Sequence, residues 1–128
     1  MKKLFTLFLL AILPLMANAQ VKRTVNVATA GTLSTLISDG EKYTIDELTL
    51  TGNLNGTDFR LLRDMAGHNY QGMPTNGKLK KLDISGTNIV AGGDMYLDTQ
   101  SMQFGNNTWG GSKYHRNTSD NVLGAFLF

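Results

Sequence analysis

A nine-residue pattern occurs twice in this chain, with its two copies 34 residues apart. Residues 45–53 read IDELTLTGN and residues 79–87 read LKKLDISGT. Both copies follow the order apolar, two variable residues, leucine, variable, apolar, hydroxyl, glycine, polar. Because side chains alternate between the two faces of a strand, Leu48 and Leu50 point to the same side. The repeat therefore predicts two equivalent strands in one sheet.

Three strands and two helices are predicted before residue 90. The first strand covers residues 24–28, where Val25 and Val27 share one face, and the other two cover residues 45–50 and 79–84. Alternation of strands and helices is typical of a parallel sheet with crossover helices. The expected fold class is therefore α/β, with a short parallel sheet and its helices on one side.

Capping residues and apolar stripes mark the two helices. Thr32 is the predicted N-cap of the first helix, and Asp39-Gly40 ends it. Thr57 is the predicted N-cap of the second helix, Asp58 suits the dipole of its first turn, and Gly67 suits the position after its end. The stripes consist of Leu33, Leu36 and Ile37 in the first helix, and of Phe59, Leu61, Leu62, Met65 and Ala66 in the second.

The nine-residue pattern follows the L-x-x-L-x-L-x-x-N strand signature of leucine-rich repeats, whose variable positions line the concave face of a solenoid. Four such residues are the candidate ligand-binding set: Glu47, Thr49, Lys81 and Asp83. The same register places Asp46 opposite Lys80, and Glu47 opposite Lys81. Both pairs are opposite in charge, which favours this register. Pairing with lysine is the expected role of Glu47 and Asp83, rather than acid and base catalysis.

Four stretches resemble the N-terminal capping region of the BspA-like leucine-rich repeat surface proteins. They are residues 27–33, 48–57 (LTLTGNLNGT), 79–93 (LKKLDISGTNIVAGG) and 118–126. The resemblance implies a non-enzymatic, secreted or cell-surface binding protein, with a host or cell-surface protein as its partner and a bacterial source. It also implies a solenoid cap at residues 20–90, and residues 122–128 as the start of a missing repeat array. On this basis we expect a truncated product or a fragment, which could self-associate through its apolar C-terminal end or lack any independent activity.

The start of the chain has the three parts of a secretory signal peptide in order. Lys2 and Lys3 form a positive start, Leu4 to Leu13 is mostly apolar, and Ala17-Asn18-Ala19 gives the small-x-small cleavage pattern before Gln20. Residues 1–19 are therefore predicted to be removed between Ala19 and Gln20. The apolar run is about half of the roughly 20 residues that cross a bilayer, so no membrane span is expected after cleavage. The protein should be exported to the periplasm, the cell surface or the exterior.

Charge and composition exclude several functions. Cleavage removes two of the 12 basic residues and leaves 10 against 10 acidic ones, so the mature chain offers no basic patch for nucleic acid. The chain has no cysteine, which excludes disulfides and thiolate metal sites. Residues 72–78 resemble a phosphate-binding loop, but Leu79 replaces the required hydroxyl residue and a strand follows instead of a helix. No cofactor is expected.

Residues 91–121 have no apolar periodicity and many Gly, Asn, Ser and Thr residues, which predicts a long polar loop. Its aromatic residues Tyr96, Trp109 and Tyr114 either contact a ligand or pack the loop onto the sheet. His68 and His115 have no partner at metal-ligand spacing. No nucleophile, base and orienting group can be assembled, so a small exported hydrolase is only a remote alternative.

Overall fold

A computed structural model describes residues 19–98, 115–122 and 128. Most of the predicted signal peptide, the aromatic residues Trp109 and Tyr114, and residues 123–127 of the apolar end lie outside this part of the chain. Ala19 and Gln20, at the predicted cleavage site, are exposed and precede the first strand. Val122 and Phe128, which belong to the apolar end, are both exposed.

Three parallel strands form the sheet, in the spatial order β1, β2, β3. They are β1 (Lys22–Val27), β2 (Glu47–Leu54) and β3 (Lys81–Ile89), so the predicted parallel sheet is confirmed. The predicted second and third strands begin two residues too early and end four and five residues too early. Gly52, the glycine of the pattern, lies within β2 and has a φ of +95°, and a Cβ atom at this position would clash with the backbone oxygen of Val27. Gly52 thus lets the backbones of β1 and β2 stay in contact.

The predicted register between β2 and β3 is confirmed at its start. Glu47 lies opposite Lys81. Asp46 forms an ion pair with Lys80 at 3.5 Å. After Thr49 the register shifts, so that Thr51 pairs with Gly86. The shift gives β3 one extra residue, and it occurs where the Asp83 carboxylate accepts a 2.9 Å hydrogen bond from the backbone N–H of Ser85.

Helix α1 (Leu33–Leu36) is a single turn. Thr32 is the N-cap residue, as predicted, but its side chain makes no capping hydrogen bond. Its hydroxyl donates instead to the carbonyl of Thr29 at 2.7 Å. Leu33 and Ile37 are buried, but Leu36 is 40% exposed, because so short a helix covers only part of the predicted stripe.

Helix α2 (Gly56–Met65) has its N-cap two residues before the predicted N-cap, Thr57. Asn55 is the N-cap: its side chain accepts a hydrogen bond from the backbone N–H of Thr57, and the Asp58 carboxylate accepts one from that of Asn55. Gly67 follows the helix with a φ of +109°, as predicted. The helix buries Phe59, Leu62 and Met65, whereas Leu61 and Ala66 are only half-buried.

The buried carboxylate of Asp58 joins the start of α2 to α1 and to the β1–α1 connection. In addition to Asn55, it accepts hydrogen bonds from the backbone N–H groups of Gly31 at 2.6 Å and Leu33 at 3.0 Å. It therefore holds the β1–α1 connection against the start of α2. The sequence predicted only a favourable interaction with the helix dipole.

Two further strands lie where the sequence predicted a loop. Strands β4 (Gly92–Asp98) and β5 (His115–Thr118) are antiparallel, and β4 packs against α2. Tyr96 is buried and meets the Phe59 ring edge-on, with 6.4 Å between the ring centroids. Of the two alternatives for Tyr96, the structure therefore shows packing. It places this ring against α2 rather than against the sheet.

Candidate functional site

The candidate site is the polar face of the three-stranded sheet, which we call the open face. The opposite face carries the apolar residues that pack with both helices, including Val25, Val27, Leu48 and Leu50. Residues of the open face alternate with these along each strand and are exposed or half-buried. The open face consists of Lys22, Thr24, Asn26, Glu47, Thr49, Thr51, Asn53, Lys81, Asp83 and Asn88.

All four predicted ligand-binding residues lie together on the open face. Glu47 pairs with Lys81, and Thr49 pairs with Asp83, in adjacent strands. Strand β1 extends the two rows with Lys22 and Thr24. Because neighbouring strands are about 4.8 Å apart, each row presents three side chains across about 10 Å of surface.

The first row is charged. Lys22 forms an ion pair with Glu47 at 3.1 Å, across β1 and β2. Lys81, on the other side of Glu47, forms no ion pair within the described part of the chain. The expected pairing of Glu47 with lysine is therefore found, but with Lys22. The row leaves one lysine available to a ligand.

Asp83, in the second row, is held by its own strand. Its Oδ1 accepts hydrogen bonds from the Ser85 hydroxyl at 2.7 Å and from the Ser85 backbone N–H at 2.9 Å. These two bonds, together with the charge of Lys81, lower the pKa of Asp83 below its ordinary value. Asp83 is therefore ionised near neutral pH, where it can accept hydrogen bonds but cannot act as a general acid.

Asp46 anchors the start of the sheet beside the charged row. Its Oδ2 accepts a 3.0 Å hydrogen bond from the backbone N–H of Val21, next to β1. This bond and the nearby charges of Lys78 and Lys80 lower the pKa of Asp46. The predicted pairing of Asp46 with Lys80 is present, and its carboxylate also ties β1 to β2.

Asparagine side chains at the other end of the open face were missed by the sequence prediction. Asn26 donates to the Thr51 hydroxyl at 2.9 Å, and Asn53 donates to the Ala28 carbonyl at 3.1 Å. Asn88 donates to the Asn53 side chain at 3.5 Å. The polar position that ends the first copy of the repeat was the available signal for Asn53, whereas Asn26 and Asn88 lie outside both copies. Because these bonds already occupy the asparagine side chains, Lys81, which is unpaired among the described residues, and the acceptor Asp83 are the stronger candidates for contact with a ligand.

Other sites considered from the sequence are not assembled in the described residues. Over residues 19–98 and 115–122, no group of three His, Asp or Glu side chains could hold a metal ion. His68 is exposed, and its backbone forms an isolated antiparallel β-bridge with Pro74. His115 is the first residue of β5. None of the helices in these ranges is both long and apolar enough to cross a membrane.

Comparison with known proteins found no matching protein-family model and no matching curated protein. What the open face does is therefore inferred from its geometry and from the sequence.

Proposed function

We propose that this chain is an exported, non-enzymatic protein-binding module of the leucine-rich repeat type, and that the open face is its contact surface. The observation that carries the proposal is the pairing of β2 with β3. Equivalent residues of the two repeat copies are paired from Glu47–Lys81 to Thr49–Asp83, with their leucines turned to the core. Strands arranged in this way leave their variable positions on one shared surface.

The open face suits a protein partner because its side chains are already ordered. The Lys22–Glu47 ion pair, the Asp83–Ser85 bonds and the asparagine contacts hold the surface polar groups in place. Binding to such a surface loses little side-chain entropy. Lys81 and Asp83 offer one positive and one negative contact side by side, which favours a partner with complementary charges.

A binding experiment with matched variants tests this surface. The mature chain, residues 20–128, is assayed by biolayer interferometry against immobilised host matrix proteins (fibronectin, laminin and collagen). Thr49→Arg places a bulky cation at the centre of the open face and should abolish any binding. Ser38→Arg adds the same side chain at an exposed position after α1 and should leave binding unchanged. Equal loss in both variants, or no binding to any of these proteins, contradicts the proposal.

Export is proposed from the signal-peptide pattern and has its own test. Expression of the full chain in a bacterium should yield a periplasmic or secreted product that begins at Gln20. N-terminal sequencing and intact mass measure this directly. A product that retains residues 1–19 in the cytoplasm contradicts export.

A second proposal is that the domain covers the apolar core at the end of a repeat array and binds no ligand itself. It is favoured by β3, whose outer edge pairs with no strand within the described ranges. Leu82 and Ile84 on β3 are only half-buried, whereas Leu48 and Leu50 on β2 are fully buried. A further strand and its core residues would cover them. Further copies of the nine-residue pattern in the reading frame after codon 128 would support this role, and their absence would contradict it.

A further inference from the structure

We propose that a groove on the far side of the molecule from the open face binds a small acidic saccharide, a sugar that carries a carboxylate. The groove has a volume of about 420 Å³ and lies between α1, α2 and the segment that follows α2. Pockets of about 300 to 1,000 Å³ that combine an apolar lining with a few polar groups are typical of small-molecule sites. The groove and the open face share no residues, so this proposal does not depend on the one above.

Arg60 is the residue that would bind the carboxylate. Its guanidinium carbon lies 3.4 Å from the centroid of the Tyr70 ring. Stacking covers a flat face of the guanidinium and leaves the N–H groups at its edge. That edge matches the two oxygens of a carboxylate. Arg60 contacts Asp94 through one nitrogen at 3.5 Å, and the Asp94 side chain is 59% exposed, so this contact is weak.

Hydroxyl and amide groups in the groove suit the hydroxyl groups of a sugar. Asn69 uses its Oδ1 to accept hydrogen bonds from the backbone N–H groups of Gln71 and Met73, both at 2.9 Å. Its Nδ2 is therefore the atom it offers to a ligand. The hydroxyl groups of Ser34 and Tyr70 form no hydrogen bond with another described residue and also line the groove. Leu61 provides an apolar surface for the C–H groups of the ring.

The acid in the lining, Asp64, does not oppose an anionic ligand. Its carboxylate pairs with Lys42 at 2.8 Å and accepts hydrogen bonds from the Tyr43 hydroxyl at 3.0 and 3.1 Å. Lys42 also contacts Asp39 at 3.1 Å, but the Asp39 side chain is exposed to solvent, which screens its charge. The bond to Asp64 raises the pKa of Lys42, so the lysine remains charged. Because the negative charge of Asp64 is compensated, the charge that the groove offers to a ligand is that of Arg60.

The test is a titration of the ¹⁵N-labelled mature chain, followed by NMR. Sodium glucuronate is compared with glucose, which has the same ring without the carboxylate, and with N-acetylglutamate, which has carboxylates without a sugar. Glucuronate should shift the signals of Arg60, Leu61 and Asn69, with a Kd at least about tenfold lower than that of glucose, as expected from hydrogen bonds to a charged group.

Three variants locate the contact. Arg60→Lys keeps the charge but loses the paired donors, and should raise the glucuronate Kd about tenfold. Asp94→Asn removes the competing carboxylate and should lower the Kd. Lys78→Arg is the matched control at an exposed position outside both the groove and the open face, and it should leave the glucuronate Kd unchanged. Thermal unfolding of each variant shows whether its fold is intact.

Three results would overturn the proposal. The first is the absence of shifts in the groove at 20 mM glucuronate, roughly the weakest affinity that a specific site would show. The second is an Arg60→Lys variant that is folded and binds as the parent does. The third is equal binding of N-acetylglutamate, which would remove the saccharide as the ligand class.

Discussion

The two faces of the sheet are built from the same strands but held by different forces. On the core face, Leu48 and Leu50 are buried in the hydrophobic core, and they stabilise the fold by removing apolar surface from water. On the open face, Thr49 and Thr51 alternate with them and lie among ion pairs and amide hydrogen bonds in contact with solvent. Adjacent residues of one strand should therefore respond very differently to substitution: we expect changes on the core face to lower stability, and changes on the open face to affect the proposed binding.

Leu50→Ala should have the largest effect. Leu50 is fully buried, so the truncation leaves a cavity and should lower the free energy of unfolding by about 3 kcal/mol. Thr51→Ala, one residue further on the open face, should cost less than about 1 kcal/mol. Urea unfolding followed by circular dichroism measures both. Similar losses for the two variants would show that the two faces do not differ in this way.

Asp58→Asn should have the second largest effect, because the buried Asp58 carboxylate joins the two helices to each other. Its carboxylate accepts three backbone N–H groups, from Gly31, Leu33 and Asn55. An amide offers one oxygen, so a buried N–H loses its partner and stability should fall by about 2 kcal/mol. Asp39→Asn is the control, since the Asp39 side chain is 97% exposed. Equal unfolding midpoints for the two variants would contradict the role given to Asp58.

Acid should weaken the edge of the open face before it weakens the core. The pKa values of Asp46 and Asp83 are lowered in the folded chain, so both carboxylates contribute stability above their unfolded pKa of about 4. That contribution is lost as the pH falls through the lower folded values. The free energy of unfolding should therefore decrease below about pH 4, and Asp46→Asn should flatten the decrease. Thermal melts between pH 6 and pH 2.5 measure it, and an unchanged pH profile in the variant would argue against the Asp46 contacts.

Thr49→Arg should have the smallest effect on stability. Thr49 is half-buried on the open face and makes no side-chain hydrogen bond within the described residues, so the change should stay within about 0.5 kcal/mol. The same variant should abolish binding in the interferometry assay. If it unfolds the chain, the open face belongs to the core and is not a contact surface.

Local sequence patterns were sufficient to predict the parallel sheet and the two rows of the open face that contain Glu47 and Thr49. The spacing of Leu48 and Leu50, repeated at Leu82 and Ile84, specifies which residues face the core, and the opposite charges of Asp46 and Lys80 indicate the register. The register shift after Thr49 was not predictable from the repeat, because it coincides with hydrogen bonds between Asp83 and Ser85 inside one strand. The N-cap of α2 was assigned to Thr57 instead of Asn55, because both residue types can cap a helix.

Features that depend on distant residues were missed. Strand β4 places Tyr96 and Leu97 next to each other, without strand alternation, and both are buried because the segment returns to α2. The groove around Arg60 brings together Ser34 and Asn69, which lie 35 residues apart in the chain. Periodic spacing of apolar residues predicts local helices and strands but not contacts between distant segments, so these contacts could be identified only from the structure.

Cross-linking offers the most direct test of the parallel register on which the account depends. The chain has no cysteine, so three double variants can be compared without background: Glu47→Cys with Lys81→Cys, Thr49→Cys with Asp83→Cys, and Asn53→Cys with Asn88→Cys. Neighbouring strands lie within the Cα separation that a disulfide spans. Under mild oxidation, all three pairs should form a disulfide within one molecule, as measured by intact mass. Cross-linking of only one pair, as an antiparallel arrangement would give, or of none, would contradict the account.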